Sequence, residues 1–170
     1  PTAGLHFTDE LIGKIESKGA GLVSLTLHVG PGTFRPGKTD RIENHEMDSE
    51  AYILPGEAAE RIEEVRRAGG RIVAVGTTVV RVLEAVAMES REKSGEKLIR
   101  DSAGETRLYI RPGHEFRAVD ALLTNFHLPG STLLILVAAF AGRERILEAY
   151  EAAREAGYRF YSYGDAMLIE

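Results

Sequence analysis

The chain has 170 residues, of which 44% are hydrophobic and 28% are charged, and its formal net charge is −5. This composition is typical of a globular domain with one well-buried core. Cysteine is absent, which excludes disulfides, thiolate nucleophiles and cysteine-ligated zinc or iron–sulfur sites. The negative net charge predicts no bulk attraction to nucleic acid, so an RNA partner would need a local basic surface.

Two features of the chain bear on where the protein works. The sequence begins at Pro1 rather than methionine and passes at once into a helix-forming pattern, so we expect a part of a longer protein. It contains no secretory signal, and the apolar run at residues 133–141 is much shorter than a membrane span. We therefore expect a cytoplasmic protein with no membrane partner.

The first 70 residues predict two helices and two strands. Thr8 is followed by two acidic residues, as is typical of an N-cap and first helical turn, and Gly19 predicts the end of this helix. The alternation of residues 22–29 predicts a strand, which the Gly-Pro-Gly sequence at 30–32 ends. The elements that follow are a polar loop over residues 33–50, a short strand over 52–54 and a helix from Pro55 to the glycine pair 69–70.

The rest of the chain continues the alternation of strands and helices. Residues 71–76 predict a strand buried on both faces, and Thr77 or Thr78 caps a helix with an inward face of Val79, Val82, Leu83 and Val86. The later predicted elements are a charged loop over 91–105, strands at 107–110 and 118–123 around the Pro-Gly turn at 112–113, a helix capped by Ser131 and Thr132 and running to 140, a helix over 143–156, and short terminal segments at 158–161 and 166–169.

This order predicts an α/β fold, namely a layered αβα sandwich with a largely parallel sheet. We expect one domain over residues 1–170, with residues 91–117 forming a charged loop or hairpin excursion. That excursion includes a locally basic stretch with Arg107, Arg111 and His114. The favoured interpretation is a solvated hairpin of mixed charge, and the alternative is a surface that faces RNA.

Polar clusters occur where predicted strands end, which is where open α/β sheets bind ligands. In the sequence VGTTVVR, Gly76, Thr77 and Thr78 open a helix and Arg81 lies one turn further on. Free backbone amides, the positive end of the helix dipole and a guanidinium group suit a carboxylate or a phosphate. A plain N-cap with a surface arginine explains the pattern equally well.

A second cluster is Asn125 and His127 in LLTNFHLPG, where Pro129 ends the strand. A functional and a structural histidine are both open here. The third cluster comprises LHVGPGTFRP and HEMDSE, with His28, Thr33, Arg35, His45 and Glu50 as its polar groups. His45 lacks the second histidine of a zincin helix, so no metal site is predicted.

Six stretches occur together in an order and spacing that resemble one known family: PTAGLHFT, LHVGPGTFRP, HEMDSE, AVGTTVVRVLE, LLTNFHLPGSTLLILVAAFAG and YRFYSYGDAML. They resemble the S-adenosylmethionine:tRNA ribosyltransferase-isomerases of queuosine biosynthesis. The resemblance spans essentially all 170 residues and implies the C-terminal half of a two-domain enzyme, without its N-terminal portion and its separate small β-barrel domain. His114 departs from the family pattern, where an aromatic residue is expected.

The resemblance implies an unusual use of S-adenosylmethionine as co-substrate. Its ribosyl part is transferred to the aminomethyl group of a 7-deazaguanine at the tRNA wobble position and rearranges to the epoxycyclopentane of epoxyqueuosine, while adenine and methionine leave. The implied partners are tRNA, S-adenosylmethionine and the missing part of the same enzyme. No metal or redox cofactor is implied.

This chemistry assigns roles to particular residues. A base must remove a proton from C5′ next to the sulfonium, and an imidazole that titrates near physiological pH suits this role, in the order His127, His45 and His28. A second histidine or Asp165 is the acid for the departing adenine. Gly76, Thr77, Thr78 and Arg81 would bind the methionine carboxylate, and Asn125 a ribose hydroxyl or base edge. The remaining candidate substrate contacts are His6, Thr33, Arg35, Arg111 and Tyr163. Tyr161 or Tyr163 is a candidate stacking group, and the alternative for each, which the sequence favours, is packing in the core.

Two other functions fit the same sequence. One is a conventional methyltransferase that uses S-adenosylmethionine, and the other is a non-catalytic RNA-binding or scaffold module. We expect the 170-residue chain alone to be inactive or nearly so, because active sites commonly form between two parts of an enzyme.

Overall fold

The computed structural model describes residues 1–30, 42–92 and 97–170, with the side chains of 91 and 92 left aside. Within these ranges, two short 3₁₀ helices, Thr2–His6 and Ile42–Asn44, accompany the regular elements. The helices are α1 (Asp9–Ser17), α2 (Gly56–Arg67), α3 (Thr77–Glu92), α4 (Thr132–Ala141) and α5 (Arg143–Glu155). The strands are β1 (Thr26–Leu27), β2 (Glu50–Leu54), β3 (Val73–Val75), β4 (Ser102–Thr106), β5 (Ala121–Asn125) and β6 (Ala166–Ile169).

The strands form two three-stranded sheets, with the orders β1-β2-β4 and β3-β5-β6. The α/β class is confirmed, but the expectation of a largely parallel sheet is wrong, since β3 and β5 are the one parallel pair among the described strands. A parallel pair requires a crossover between its two strands, and the chain provides one between β3 and β5. Two helices in succession, α4 and α5, separate β5 from β6, and they return the chain in the opposite direction.

Helix α3 lies at the centre of the core and is buried on nearly all sides. Val80, Val82, Leu83, Val86 and Ala87 are each at most 1% exposed. Fully burying one such valine or leucine contributes roughly 1.5–3 kcal/mol, so this helix is a main source of stability. Three of the four residues on its predicted inward face are confirmed as buried, and the fourth, Val79, is partly buried.

The sequence correctly predicted the residues that cap the starts of two helices. The Thr8 side chain accepts a hydrogen bond from the Leu11 amide at the start of α1, and Ser131 accepts one from Leu134 at the start of α4. In contrast, β3 is not buried on both faces, because Val73 is 48% exposed whereas Ala74 is fully buried. One face of this strand therefore meets solvent.

The hairpin predicted around residues 112–113 does not form. Helix α3 continues to Glu92, and the strand that follows is β4, which pairs with β2 from Leu54–Ser102 to Glu50–Thr106. The segment after β4 packs against α3, since Ile110 and Ala118 are buried and the buried Glu84 carboxylate accepts hydrogen bonds from the Arg117 and Ala118 amides. The pairing partner of β4 lies about 50 residues away, where no local pattern could indicate it.

No helix in the described part of the chain is both long enough and apolar enough to cross a membrane.

Candidate functional site

A pocket of about 130 Å³ lies where the parallel strands β3 and β5 end. Gly76 and Thr77 reach it from the end of β3, and Asn125 and His127 from the end of β5. The first two residue clusters predicted from the sequence therefore meet, because the carboxyl ends of neighbouring parallel strands share one edge of a sheet. The volume is below the roughly 300–1,000 Å³ of typical ligand sites, so this pocket encloses only part of a nucleoside-sized ligand.

The position of Gly76, between β3 and α3, requires a glycine for two reasons. Its φ is +94°, a conformation that side chains disfavour, and a Cβ added here would lie 2.5 Å from Pro1 Cβ. Its amide donates to the Leu123 carbonyl at 2.8 Å. Glycine thus lets the start of the chain pack directly against the start of α3.

His127 is the one histidine among the described residues that line the pocket. Its Nε2 lies 2.7 Å from Thr124 Oγ1, and its backbone amide donates to the Tyr150 hydroxyl at 2.7 Å. Burial lowers the pKa of His127 from 6.5 to about 4, since a charged imidazole would lose its hydration. The imidazole is therefore neutral at physiological pH and titrates well below it, in contrast to the expectation from the sequence.

Tyr150, which supports His127, belongs to an aromatic cluster below the pocket. Its ring packs edge to face against Phe126 and Phe160 at centroid distances of 5.3 and 5.6 Å. Burial raises the pKa of Tyr150 to about 12, so its hydroxyl stays protonated. This cluster fixes the backbone that carries the histidine.

Asn125 connects β5 to both ends of the chain. Its side-chain oxygen accepts from Thr2 Oγ1 at 3.2 Å, and its amide nitrogen lies within 3.3–3.4 Å of the carbonyl oxygens of Tyr161, Gly164 and Asp165. The residue is 2% exposed. Its hydrogen-bonding groups are thus occupied within the protein, which favours a structural role over the predicted contact with ligand.

Tyr161 lines the pocket in a strained backbone conformation. Its φ of +72° is the one positive value at a non-glycine residue within the described chain. The Tyr161 amide donates to the Phe126 carbonyl at 2.9 Å, and its carbonyl accepts from the amide of Gly164. A Cβ on Gly164 would lie 2.3 Å from the Arg159 carbonyl, so this turn requires glycine.

Comparison with known sequences places the chain in a family. A family profile described as "Queuosine biosynthesis protein" matches residues 1–169. The chain belongs to this family. The family resemblance inferred from the six sequence stretches is therefore confirmed.

Individual members of the family match over the same length. Proteins named S-adenosylmethionine:tRNA ribosyltransferase-isomerase from Thermoanaerobacter sp. and Natranaerobius thermophilus are 56% and 55% identical over 99% and 100% of this chain. The chain spans about half the length of these curated relatives, 48% in each case. A crystal structure of S-adenosylmethionine tRNA ribosyltransferase from Thermotoga maritima superposes with a TM-score of 0.78 at 46% identity, covering 99% of this chain and 51% of that chain.

Arg81 does not join the helix start at the pocket. Its side chain is 4% exposed and forms a buried ion pair with Glu50, and its Nε donates to the Leu108 carbonyl at 3.2 Å. Glu50 also accepts from the Gly30 amide at 2.9 Å. The guanidinium predicted to bind an anion is therefore engaged inside the protein, and Thr78 is partly buried outside the pocket lining.

The other two candidate bases lie elsewhere. His28 is exposed, with its amide donating to the Ala51 carbonyl, and His45 packs against the Tyr109 ring at a centroid distance of 5.2 Å. Neither residue lines the pocket. The reason is that both flank strands of the β1-β2-β4 sheet, whereas the sequence had predicted a single sheet.

The remaining candidates are distributed around the pocket rather than inside it. The Asp165 carboxylate accepts from the Arg159 amide at 2.7 Å and so stabilises the turn that holds Tyr161. His6 is exposed with its Nε2 3.5 Å from Asn125 Nδ2, while Arg111 is exposed and Tyr163 is 89% exposed. Thr33 and Arg35 lie outside the described residues.

Thr124 belongs to the same polar group of the sequence as Asn125 and His127, and it lines the pocket with them. Sequence reasoning missed Thr2 and Ser131 as parts of the pocket. Thr2 could not have been found, because it contacts Asn125 across 123 residues of sequence. Within the described ranges, no group of three histidine or acidic side chains has a spacing suitable for a metal ion.

Proposed function

We propose that the full-length protein containing this chain is a transferase that modifies tRNA in queuosine biosynthesis. It transfers the ribosyl moiety of S-adenosylmethionine to 7-aminomethyl-7-deazaguanine at the wobble position, isomerises it to epoxyqueuosine and releases adenine and methionine. S-adenosylmethionine is the co-substrate, and the proposed reaction needs no metal ion. Support comes from the family match over residues 1–169, together with the convergence of two polar clusters, Gly76-Thr77 and Thr124-Asn125-His127, on one pocket.

His127 is the proposed base for the C5′ proton. It lines the pocket, whereas His28 and His45 do not, and its low pKa keeps the imidazole unprotonated at neutral pH. The adjacent sulfonium acidifies C5′, which lets a base of modest strength act. Asp165 remains a proposed acid, although its carboxylate already accepts a hydrogen bond from Arg159.

The start of α3 is the proposed site for the methionine carboxylate. Gly76 and Thr77 bring backbone and hydroxyl groups to the pocket at the positive end of the helix dipole. Arg81 is paired with Glu50, so this contact would depend on the helix start rather than on a guanidinium. Tyr161 and Tyr163, which are 53% and 89% exposed, are the proposed stacking groups for a purine or deazapurine.

The reaction is tested by product analysis with the full-length protein, S-adenosylmethionine and tRNA that carries the aminomethyl precursor. We expect free adenine and methionine in equal amounts, together with epoxyqueuosine in the tRNA. Release of S-adenosylhomocysteine would instead indicate a methyltransferase. Binding of tRNA that weakens steeply with salt, without any turnover, would indicate an RNA-binding module.

The role of His127 is tested by deuterium exchange at C5′ in the full-length protein. His127→Gln should abolish the exchange, and the matched variant His28→Gln should retain it. For the unsubstituted protein, we expect exchange to stay constant from pH 8 to about pH 5 and to fall only as the pH approaches 4, where the imidazole becomes protonated. Exchange that persists in His127→Gln would remove His127 from this role.

A further inference from the structure

Three buried polar atoms without a hydrogen-bond partner in the described structure belong to residues that share one small cavity. They are Arg81 Nη2, Tyr109 Oη and Thr132 Oγ1. The cavity has a volume of about 10 Å³, and its other lining residues are apolar, namely Met47, Leu108, Ile110, Leu133 and Leu136. It is separate from the proposed active-site pocket, although Leu133 lines both.

Leaving three such atoms without partners would be costly. A buried donor or acceptor that makes no hydrogen bond typically costs about 1–3 kcal/mol, and most buried polar groups in native proteins are paired. A cavity needs about 10–15 Å³ of this kind of volume to contain one water molecule, together with two to four polar partners. The volume of about 10 Å³ and the three polar atoms meet both requirements for one water.

The charge of the surroundings favours a neutral occupant. Arg81 is the charged residue among those that line the cavity, and its ion pair with Glu50 neutralises it, with both side chains at most 4% exposed. Arginine can only donate a hydrogen bond, whereas each hydroxyl can both donate and accept. A water can therefore accept from Arg81, and it can donate to one hydroxyl and accept from the other.

We propose that a single buried water molecule binds in this cavity and bridges Arg81, Tyr109 and Thr132. The water connects the core helix α3, the segment after β4 and the start of α4. Thr132 lies between Ser131 and Leu133, both of which line the active-site pocket. The bound water thus ties the central ion pair to one wall of that pocket. This proposal does not depend on the reaction proposed above.

The first test is the isosteric substitution Thr132→Val. If the hydroxyl binds a water, its loss should raise the equilibrium constant for unfolding about fivefold or more, as expected for one buried hydrogen bond. If the hydroxyl has no partner at all, valine should leave stability unchanged or increase it. Thr132 is not the capping residue of α4, since Ser131 makes that contact, and Val and Thr have similar helix propensities.

Ser90 provides a matched control. Its hydroxyl is also buried and has no partner within the described residues, but Ser90 does not line this cavity. Ser90→Ala should therefore leave the urea midpoint unchanged or raise it. Tyr109→Phe gives a second, independent measurement and should destabilise the chain in the same direction as Thr132→Val.

The second test is a crystal structure at high resolution. Electron density for one water within hydrogen-bonding distance of Arg81 Nη2, Tyr109 Oη and Thr132 Oγ1 would support the proposal. Well-ordered side chains with no density between them would overturn it. Urea midpoints for Thr132→Val and Tyr109→Phe that equal or exceed that of the unsubstituted chain would also overturn it.

Discussion

The depressed pKa of His127 predicts a specific dependence of stability on pH. The imidazole has a pKa of about 4 in the folded chain and 6.5 when it is free of the fold. Between these values the unfolded state binds a proton that the folded state does not. The contribution of His127 to the free energy of unfolding is therefore fully present above pH 6.5 and is lost as the pH falls toward 4. Applied between pH 7 and pH 5, these two values give a loss of about 2 kcal/mol from this one residue.

The substitution that isolates this contribution is His127→Gln. Glutamine keeps a hydrogen-bonding side chain beside Thr124 but does not titrate. Between pH 7 and pH 5, the free energy of unfolding of the variant should therefore fall by about 2 kcal/mol less than that of the unsubstituted chain. Urea denaturation of both proteins at several values between pH 7 and pH 5 gives the two free energies of unfolding. The exposed His28 provides the control, because His28→Gln should reproduce the pH dependence of the unsubstituted chain.

One result would refute this reasoning. If the free energies of unfolding of His127→Gln and of the unsubstituted chain fell in parallel from pH 7 to pH 5, the imidazole would have nearly the same pKa in both states. Burial would then not control His127, and the proposed base would be a stronger one that titrates near neutral pH.

Three further predictions concern stability in urea at pH 7. Gly76→Ala should lower the free energy of unfolding more than Gly113→Ala. Both glycines have a positive φ, which costs alanine roughly 1–2 kcal/mol, but of the two new Cβ atoms only the one at Gly76 would meet another residue, at 2.5 Å. Equal losses in the two variants would contradict this. Glu84→Gln should lower the free energy of unfolding by about 2 kcal/mol, because it weakens charge-assisted hydrogen bonds from two backbone amides. The 82% exposed Glu115 is the control, and Glu115→Gln should change the free energy by no more than about 0.5 kcal/mol. Similar losses in both variants would show that the Glu84 carboxylate does not stabilise the fold. Ser131→Ala should cost about 1 kcal/mol through loss of the α4 cap, and an unchanged midpoint would show that the cap contributes little.

The parts of the site that the sequence predicted are those set by local rules. The caps at Thr8 and Ser131 follow from side-chain chemistry within one helical turn. The meeting of Gly76 and Asn125 follows from a crossover between parallel neighbours, whose strand ends must share one edge. Each of these features depends on contacts that the chain order itself determines.

The parts that the sequence did not predict depend on pairings between distant segments. Arg81 lies one turn into α3, as expected for an anion-binding residue, but its long side chain reaches Glu50, which is positioned by the antiparallel β2–β4 pairing. The pairing of β1 with β2 places His28 beside this sheet, and His45 lies shortly before β2 in the chain. The β2–β4 and β3–β5 pairs both join strands about 50 residues apart, and neither leaves a periodic signal. General α/β geometry predicted the parallel pair, but nothing in the sequence separated one sheet from two.

The hydrogen-bonding capacity of the pocket residues limits which of them can bind a ligand. Asn125 accepts from Thr2 with its oxygen and donates to the turn at residues 161–165 with its nitrogen, so a ligand could contact it without displacing these segments only by donating to the second lone pair of the oxygen. His127 uses only Nε2, for Thr124, among the described residues, which leaves Nδ1 as the nitrogen that can exchange a proton. For Nδ1 to accept a proton, Nε2 must carry hydrogen and donate to the threonine hydroxyl. In that tautomer the Thr124 hydroxyl would accept from Nε2 and hold the imidazole in position.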